Sequence, residues 1–560
     1  MSHFAHTSKR FVFPACLLLI VLGLVSLTHA SGKRKPTPRV VAPSRVVAPS
    51  RVVASSRVVA PPTPYEFGQW EPSFTSASVV SHAAVLPNGK VLHWSPNAFF
   101  PFTAPTWSRL WTCVLTGGLC DPDVASANIQ NVYYYGSDLF CSGHSFLPDG
   151  RLFTAGGNVF GGMVDGSRAT AIFDLNPSPS PSPPATSGPN MANYRWYPTT
   201  VTLANGETAI LSGLDCESSS PPCPINNTPE VLNPAGTALR TLSTAANVEL
   251  PLYPRMFLGS DGRLFYAGPN SPSRWLNTAG TGSWGTTTKP YYCPNPPNCI
   301  TDRSNGSSVM YDVDKVMMAG GGQPPTELAQ TIDLTNETGS WTETESMANA
   351  RRHLDLTILA DGKVLATGGT KGDGFNNPCP KNIIYEAELW DPDSGTNGEW
   401  SPMALMSRRR AYHSFAVLLV DGRVLVGGNT GAAETKQCPP NNPEYQQEIF
   451  TPPYLFNPDG TPATRPTISY APDVVSYNSQ FLLLAPNAVS LDKVTMVRLS
   501  SVTHSINFNQ RISKLTFSRI GYGLRVNTPA NSNLAPPGHY MLFVINNAGV
   551  PSVAKVIKIE

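Results

Sequence analysis

The hydrophobic pattern of this chain repeats one short unit. In each copy an apolar run leads into a polar turn, a second apolar run follows, and small residues, often Gly-Gly, end the unit. The clearest copy covers residues 415–428, where Asp421-Gly422 separates Phe-Ala-Val-Leu-Leu-Val from Arg-Val-Leu-Val-Gly-Gly. An Asp-Gly dipeptide supports the positive φ angles of a tight turn, and the apolar runs supply two strands. The unit is therefore a predicted β-hairpin.

Seven copies of this hairpin occur between residues 65 and 465. Their turns lie at Gly89, Gly150, Gly206, Gly262, Asp314, Gly362 and Gly422, and the copy at Asp314 lacks the glycine. The spacing is about 55 residues, and a period near 50 with four-stranded units is typical of kelch-type propellers. Seven copies predict seven blades around a central channel.

Reactive side chains recur at one place in the repeat. Counting back nine residues from the turn glycine gives Cys141, Tyr197, Tyr253, His353 and His413 in five of the copies. Equal offsets in a repeat mean equivalent places in the blades, here the start of the strand before the turn. We interpret them as one site at one end of the channel. The alternative is that strand starts simply tolerate aromatic and histidine residues.

The N-terminal part of the chain predicts secretion. Lys9-Arg10, an apolar run over residues 11–27 and a small residue at Ala30 indicate a signal peptide over residues 1–30. A membrane anchor is the alternative, but Pro14 interrupts a run that is already near the short limit for spanning. No other segment is long and apolar enough to cross a membrane.

Residues 31–64 repeat Arg-Val-Val-Ala-Pro/Ser units with seven basic and no acidic residues, which predicts a disordered tether. The signal peptide holds two further basic residues, so residues 65–560 keep 31 of the 40 basic side chains against 38 acidic ones, a net charge of −7. A basic tail on an acidic body could hold acidic wall polysaccharide, and a solvated spacer is the alternative. Nothing indicates nucleic-acid binding.

The cysteines and sequons fit an extracellular protein. Nine cysteines follow the signal peptide, and the expected disulfides are Cys113/Cys120, Cys216/Cys223, Cys293/Cys299 and Cys379/Cys438. Cys141 is left over, which calls for another explanation in a secreted chain. Candidate glycosylation sites are Asn226, Asn305 and Asn336.

The chain changes character after residue 465. Residues 466–560 contain short apolar strands between turns, and about 95 residues of this kind suit an immunoglobulin-like β-sandwich. His504 lies between polar stretches in this part, on a loop that could reach the channel or simply lie at the surface. The predicted fold is all-β, a seven-bladed kelch-type propeller over residues 65–465 followed by this sandwich.

The candidate side chains favour copper over other chemistry. Imidazoles with phenolates and water suit tetragonal Cu(II), whereas zinc sites more often use Cys, His and carboxylate ligands. The sequence contains no H-E-x-x-H, Cys-x-x-Cys or G-x-S-x-G pattern. Metalloprotease and serine hydrolase chemistry therefore lack support.

Several segments resemble the copper radical oxidases, the family of galactose oxidase and glyoxal oxidase. These are residues 140–143 (Phe-Cys-Ser-Gly), 195–199 (Arg-Trp-Tyr-Pro-Thr), 410–414 (Arg-Ala-Tyr-His-Ser), 502–505 (Val-Thr-His-Ser) and 537–552. The likeness runs from about residue 65 to the C-terminus. The module that precedes the propeller in galactose oxidase is not found, and with the Arg-Trp-Tyr-Pro context this makes glyoxal oxidase the nearer of the two.

The resemblance implies a role for each matching residue. Tyr197 would be a copper ligand joined to the sulfur of Cys141 by a thioether, and Tyr412 an axial ligand that takes the substrate hydroxyl proton. His413 and His504 would be the imidazole ligands. The offset of nine selects Cys141, Tyr197 and His413, but neither Tyr412 nor His504.

The resulting hypothesis is a secreted, monomeric oxidase that turns aldehydes such as glyoxal or methylglyoxal into acids and reduces O2 to H2O2. Alternatives are a primary alcohol or galactose-type oxidase, or a non-catalytic propeller that binds carbohydrate or protein. Tyr253 and His353 match no ligand of the family. They are expected to contact the ligands or the substrate, with structural filling as the alternative.

Overall fold

The structure is a computed structural model that describes residues 63–560 with some gaps. The gaps are residues 77, 96–105, 112–114, 117–118, 121–129, 135, 160–164, 176–184, 217–222, 294–295, 298, 338, 431–442 and 487. The predicted signal peptide and nearly all of the predicted tether lie outside the described residues. Within those residues, no helix has the length and apolar character needed to cross a membrane.

Seven antiparallel strand groups, here blades 1 to 7, follow one another along the chain as the blades of a propeller, and blades 1 and 5 are joined through strands of the C-terminal part into one larger sheet. Their strands are His82–Val85, Val91–Trp94, Thr106–Trp111 and Gln130–Tyr134 in blade 1; Gly143–Phe146, Leu152–Ala155, Thr170–Phe173 and Ala185–Ser187 in blade 2; Thr199–Thr202, Thr208–Leu211, Glu230–Leu232 and Leu239–Thr241 in blade 3; Arg255–Leu258, Leu264–Gly268, Ser273–Asn277 and Ser283–Lys289 in blade 4; Ser307–Asp312, Lys315–Ala319, Ala329–Asp333 and Thr342–Glu343 in blade 5; Arg352–Ile358, Val364–Thr370, Glu386–Asp391 and Glu399–Leu405 in blade 6; and Ser414–Leu418, Val424–Gly428 and Gln446–Thr451 in blade 7. Each predicted hairpin forms the first two strands of one blade, so the prediction of seven blades is confirmed.

The structure also contains several small elements outside these strands. They are the helix Pro64–Phe67, the 3-10 turns Ser243–Asn247, Pro453–Leu455 and Ala488–Ser490, and the strand pair Leu115–Thr116 and Leu119–Cys120. The strands Gln69–Trp70 and Phe74–Thr75 pair with the third strand of blade 7. The start of the propeller therefore completes its last blade, which closes the ring.

The hairpin turns form as their sequences predict. Six turn glycines have φ between 79° and 95°, a region that glycine enters without steric cost. In the copy without glycine, Asp314 itself takes φ 59°, and aspartate is among the few other residues that tolerate this conformation. The missing glycine therefore weakens the sequence signal but not the turn.

The C-terminal part is a sandwich of two sheets. One contains Val474–Val475, Lys555–Ile559, Gly538–Asn546, Leu491–Arg498 and Ile506–Leu515, and the other Gln480–Leu484, Gly523–Asn527 and Phe517–Ile520. Leu483, Leu524, Leu542 and Val544 are fully buried in its core. The predicted β-sandwich is confirmed.

A hairpin of this sandwich enters the propeller. Its first strand, Ser501–Thr503, pairs with the first strand of blade 1, and its second strand runs parallel to the first strand of blade 5. The tip carries His504 and Ser505, both at positive φ. The hairpin thus brings a histidine of the sandwich to the innermost strands of the propeller.

Two of the expected disulfides are present, Cys216–Cys223 and Cys293–Cys299. Cys379 is also disulfide-bonded, and its expected partner Cys438 lies outside the described residues, as does Cys113. Cys141 is free and buried, as expected.

Candidate metal centre

The five residues selected by the offset of nine share one unusual backbone conformation. Cys141, Tyr197, Tyr253, His353 and His413 have φ between 48° and 69°, a region in which bulky side chains are outliers. Asn305 stands at the same offset from Asp314 and has φ 57°. The repeat therefore supplies a sixth equivalent position, hidden in the sequence because its hairpin lacks glycine.

Buried arginines hold this conformation in four blades. Arg195, Arg303 and Arg351 stand two residues before the offset position, and Arg410 stands three before it. Each donates a hydrogen bond to a carbonyl at the end of its own hairpin, to Ser212, Gly320, Gly368 and Gly428 respectively, over 2.6–3.1 Å. The backbone before the first strand of the hairpin is thus tied to the end of its second strand. These hydrogen bonds offset the cost of the positive φ angle at the offset position.

Three of these arginines pair with a glutamate in the third strand of the same blade. Arg195 lies 2.9 Å from Glu230 and Arg410 lies 3.0 Å from Glu448, and Arg351 pairs with Glu388 in the same way. Burial lowers the pKa of these arginines, and the glutamates counteract that effect. In these three blades an arginine stands just before the offset position and a glutamate follows some 35 residues later. This spacing is a second sequence signal of the offset position, in addition to the hairpin pattern.

Backbone hydrogen bonds join neighbouring offset positions around the channel. The amide of Tyr197 donates to the carbonyl of Cys141 over 3.1 Å, and that of Tyr253 donates to Tyr197 over 2.9 Å. The amide of His353 donates to Asn305 over 2.6 Å. Residues at the same offset in neighbouring blades are therefore in direct backbone contact.

The structure gathers five predicted site residues in one place. The hydroxyls of Tyr197 and Tyr412 are in hydrogen-bond contact, and His504 Nε2 lies 3.0 Å from Tyr197 Oη. The Cys141 sulfur and one ring nitrogen from each of His413 and His504 lie within 4.8 Å of one another. Residues from blades 2, 3 and 7 and from the inserted hairpin thus converge.

The two histidines present nitrogens suited to a metal ion. Nδ1 of His413 is hydrogen-bonded to the Thr430 hydroxyl over 2.7 Å, and Nδ1 of His504 to the Thr503 hydroxyl over 2.5 Å. Nε2 of His413 is buried and has no hydrogen-bond partner among the described residues. A buried nitrogen left unpaired in this way is costly unless a ligand uses it, and orientation of the ring through its other nitrogen is typical of metal-binding histidines.

Burial sets the protonation of the group. It lowers the pKa of His413 and of His504 well below the usual value, so both rings are neutral near pH 7. It raises the pKa of Tyr197, Tyr412 and the Cys141 thiol. These five side chains are therefore neutral donors near pH 7, and a bound cation would favour loss of the tyrosine protons.

The Tyr197 ring lies in an aromatic stack. The Trp196 ring is 3.7 Å from it at an interplanar angle of 11°, and the Tyr253 ring is 4.5 Å from it at 21°. Two rings at these distances cannot share one face, so they cover opposite faces of Tyr197. The Tyr253 hydroxyl donates to the Ser142 carbonyl over 3.0 Å, which holds its ring in place.

His353 lies beside Tyr412 and is turned away from the donor set. Its Nε2 is hydrogen-bonded to the Phe375 carbonyl over 2.6 Å, and its ring lies 5.2 Å from that of Tyr412. Burial lowers the pKa of His353 to about 3. The Phe375 ring packs 4.9 Å from Tyr412 and is 54% exposed, so it forms the outer wall of this part of the site.

Two buried histidines, not selected from the sequence, position Cys141. The amide of Cys141 donates to His82 Nε2, and His82 Nδ1 in turn contacts His144 Nε2, each over 3.0 Å. His144 Nδ1 is 2.5 Å from the hydroxyl of Ser501. Because His82 Nε2 accepts the hydrogen bond from the Cys141 amide, the proton of the neutral His82 ring is on Nδ1. His82 Nδ1 then donates to His144 Nε2, so the proton of His144 is on its own Nδ1. This neutral chain links blades 1 and 2 to the inserted hairpin.

The candidate glycosylation sites differ in exposure. Asn336 is exposed and Asn305 is half-buried, whereas Asn226 is buried and its side chain accepts a hydrogen bond from the amide of Thr228 over 3.1 Å. Glycosylation of these residues stays a prediction, and Asn336 is the most accessible of the three.

Comparisons with known proteins agree with this geometry. The family profile "Glyoxal oxidase N-terminus" matches residues 315–454, and "Galactose oxidase-like, Early set domain" matches residues 465–559. The chain is 29% identical over 524 residues to galactose oxidase of Gibberella zeae, covering 88% of this chain and 70% of that protein. It is 27% identical over 456 residues to aldehyde oxidase GLOX of Vitis pseudoreticulata, covering 76% and 82%.

A solved structure extends the likeness to nearly the whole described fold. It is a fungal alcohol oxidase in complex with copper, and it is similar with a TM-score of 0.74 and 25% identity, covering 88% of this chain and all of that one.

Proposed function

We propose that this chain, which is similar to galactose oxidase and glyoxal oxidase in its family matches and relatives, is a secreted copper radical oxidase. It would convert aldehydes of the glyoxal or methylglyoxal type to carboxylic acids and reduce O2 to H2O2. One observation carries the proposal. Two tyrosines, two neutral histidines and a free cysteine from four separate parts of the fold meet in one buried pocket, with His413 Nε2 unpaired.

In this proposal Tyr197, Tyr412, His413 and His504 hold one copper ion. Phenolate and imidazole donors with an open position for water or substrate suit Cu(II). The bound copper and a tyrosine substituted by sulfur would together accept the two electrons that oxidation of an alcohol or an aldehyde hydrate releases.

The residues of the chain have separate tasks. Cys141 and Tyr197 would form the thioether, losing the thiol hydrogen and one ring hydrogen while two electrons pass to O2. Trp196 and Tyr253 cover the faces of the Tyr197 ring and shield it from solvent. Tyr412, whose hydroxyl contacts that of Tyr197, would take the proton of the substrate hydroxyl. The threonines on Nδ1 of each histidine keep Nε2 directed into the pocket.

The aldehyde substrate is supported by the glyoxal oxidase profile, whose match contains Tyr412 and His413, and by the plant aldehyde oxidase relative. A primary alcohol or galactose-type oxidase is the second candidate, because galactose oxidase and a fungal alcohol oxidase are also similar to this chain. A non-catalytic binding propeller is disfavoured, because every residue of the proposed set is present and in contact.

Peptide mapping of the protein after copper loading in air tests the radical site. A linked pair of peptides containing Cys141 and Tyr197, two hydrogens lighter than their sum, is the expected result. Separate peptides with a free Cys141 would contradict it. A panel of glyoxal, methylglyoxal, galactose and simple primary alcohols, read by peroxide formation, then separates the two oxidase candidates.

His353 is proposed to shape the substrate side of Tyr412, because its ring packs against Tyr412 and against the exposed Phe375. Replacement of His353 by Ala should change the preference among the substrates of this panel while copper content stays the same. An unchanged preference and rate would assign His353 to structural filling.

A further inference from the structure

A small cavity lies where the inserted hairpin leaves the sandwich, apart from the candidate metal centre. Its volume is about 30 Å3, and its lining includes Met256, Met310, Arg498, Phe508, Asn509 and Arg511. A cavity of this size has room for about two water-sized particles. It is too small for sulfate or phosphate with their five heavy atoms.

Two buried guanidinium groups line this cavity without a balancing anion. Arg498 is 3% exposed and Arg511 is 5% exposed. Each donates one hydrogen bond, Arg498 to the Pro537 carbonyl over 3.1 Å and Arg511 to the Leu258 carbonyl over 3.4 Å. Nε of both, and Nη2 of Arg511, have no hydrogen-bond partner among the described residues.

Other buried arginines of the protein have a carboxylate partner or several hydrogen bonds to carbonyl oxygens. Arg195, Arg351 and Arg410 each have a buried glutamate partner. Arg255 and Arg303 lack one, but they donate several hydrogen bonds to carbonyl oxygens.

Arg498 and Arg511 also repel each other. In the described part of the chain, no carboxylate oxygen lies within the 4.0 Å of an ion pair with either of them. Asp314 attracts Arg511 from a greater distance, and its Oδ1 already accepts the amide of Ser260 over 2.8 Å. Asn509 offers an amide oxygen, which is also unpaired, but no charge. Two buried like charges without a counter-charge are costly.

We propose that this cavity binds a small monovalent anion of the size of chloride between the guanidinium groups of Arg498 and Arg511. The anion takes the unused N–H groups and offsets the charge of the pair. Because Arg511 belongs to the inserted hairpin and Arg498 to the neighbouring strand of the sandwich, occupancy stabilises the junction of the two domains. The site is independent of the oxidase reaction.

Crystals of the full chain grown in sodium bromide test the site directly. An anomalous peak at the bromine absorption edge is expected within hydrogen-bonding distance of both guanidinium groups. A cavity that shows no such peak under these conditions holds only water, and the proposal is then wrong.

Thermal unfolding in solution provides the second measurement. The midpoint should be higher in sodium chloride than in sodium gluconate at equal ionic strength, because gluconate is too large to enter. A chloride concentration a hundred times the dissociation constant should shift the unfolding equilibrium about a hundredfold. A bromide peak without any effect of chloride on the midpoint would mean binding at crystal concentration only, which rejects the proposal.

The variant Asn509→Asp connects the effect to this cavity. It places a carboxylate beside the two arginines, so the midpoint should no longer depend on chloride and the bromide peak should disappear. The matched control Asn547→Asp, at an exposed position, should keep the chloride dependence of the unmodified chain. Full chloride dependence in Asn509→Asp would place the anion elsewhere. If that variant does not fold, the two measurements on the unmodified chain decide.

Discussion

Glu448, in the third strand of blade 7, allows a direct test of how the site residue His413 is held. Its side chain is fully buried and pairs with Arg410 over 3.0 Å, while its other oxygen accepts the amide and hydroxyl of Ser407, each over 2.8 Å. Replacement of Glu448 by Gln keeps the shape and an acceptor for Ser407. It leaves the guanidinium of Arg410 buried and without its counter-charge.

The expected cost follows from that burial. Removal of one partner of a buried ion pair destabilises a fold by about 3–5 kcal/mol. An exposed pair contributes at most about 1 kcal/mol. The pair Lys315–Asp333 is about half exposed at both ends, so Asp333→Asn is the matched control, with an expected loss of at most about 1 kcal/mol.

Urea unfolding of both variants measures the two losses, read as a shift of the midpoint at an unchanged dependence on urea. Since Arg410 fixes the backbone just before His413 through the Gly428 carbonyl, Glu448→Gln should also lower the copper content of protein loaded with limiting metal. The double variant Arg410→Met, Glu448→Leu should recover much of the stability, because it leaves no unpaired charge. A loss from Glu448→Gln no larger than that of the control would refute the reasoning.

Three further predictions concern the site and its surroundings. Cys141→Ser should fold and bind copper as the unmodified chain does but lose most peroxide formation, and retained full turnover would contradict the radical assignment. Burial raises the pKa of Asp355 to about 7, whereas the same carboxyl in the unfolded chain loses its proton at about pH 4. Between about pH 4 and about pH 7 the folded state therefore holds a proton that the unfolded state has released. The free energy of unfolding should fall by up to about 4 kcal/mol as the pH rises through this range. Asp355→Asn should flatten this dependence in urea unfolding measured at pH 5 and pH 8, and an unchanged slope would be inconsistent with a protonated Asp355. Tyr253→Phe removes the hydrogen bond to the Ser142 carbonyl but keeps the stack on Tyr197, so stability should fall by about 1 kcal/mol with thioether formation retained in the mass map.

Much of the fold was predictable because its information is local. Each hairpin depends on turn chemistry within a few residues, and the same register then placed Cys141, Tyr197 and His413 at equivalent points. Asn305 was missed because Asp314 performs the role of glycine in its own turn. The sequence pattern therefore misses this position because aspartate replaces glycine in the turn without changing the backbone conformation.

The rest of the site depends on tertiary contacts that the hairpin repeat does not predict. Tyr412 stands one residue before the offset position, and its ring reaches the pocket because the backbone turns at His413. His504 belongs to another domain and arrives through strand pairing with residues more than 400 positions earlier in the chain. His82 and His144 likewise act through a tertiary hydrogen-bond chain that neither hairpin signals by itself.

The insertion of the His504 hairpin also fixes when the site can exist. A chain emerges from the ribosome N-terminus first, and domains generally fold as units in that order. The blades that carry Tyr197 and Tyr412 are complete before residue 504 has been synthesised, while the inner strands of blades 1 and 5 still lack their pairing partner. A chain cut short after blade 7 would therefore have open strand edges at its centre and an incomplete donor set. The candidate metal centre can therefore be complete only after the last domain has been synthesised and has docked on the propeller.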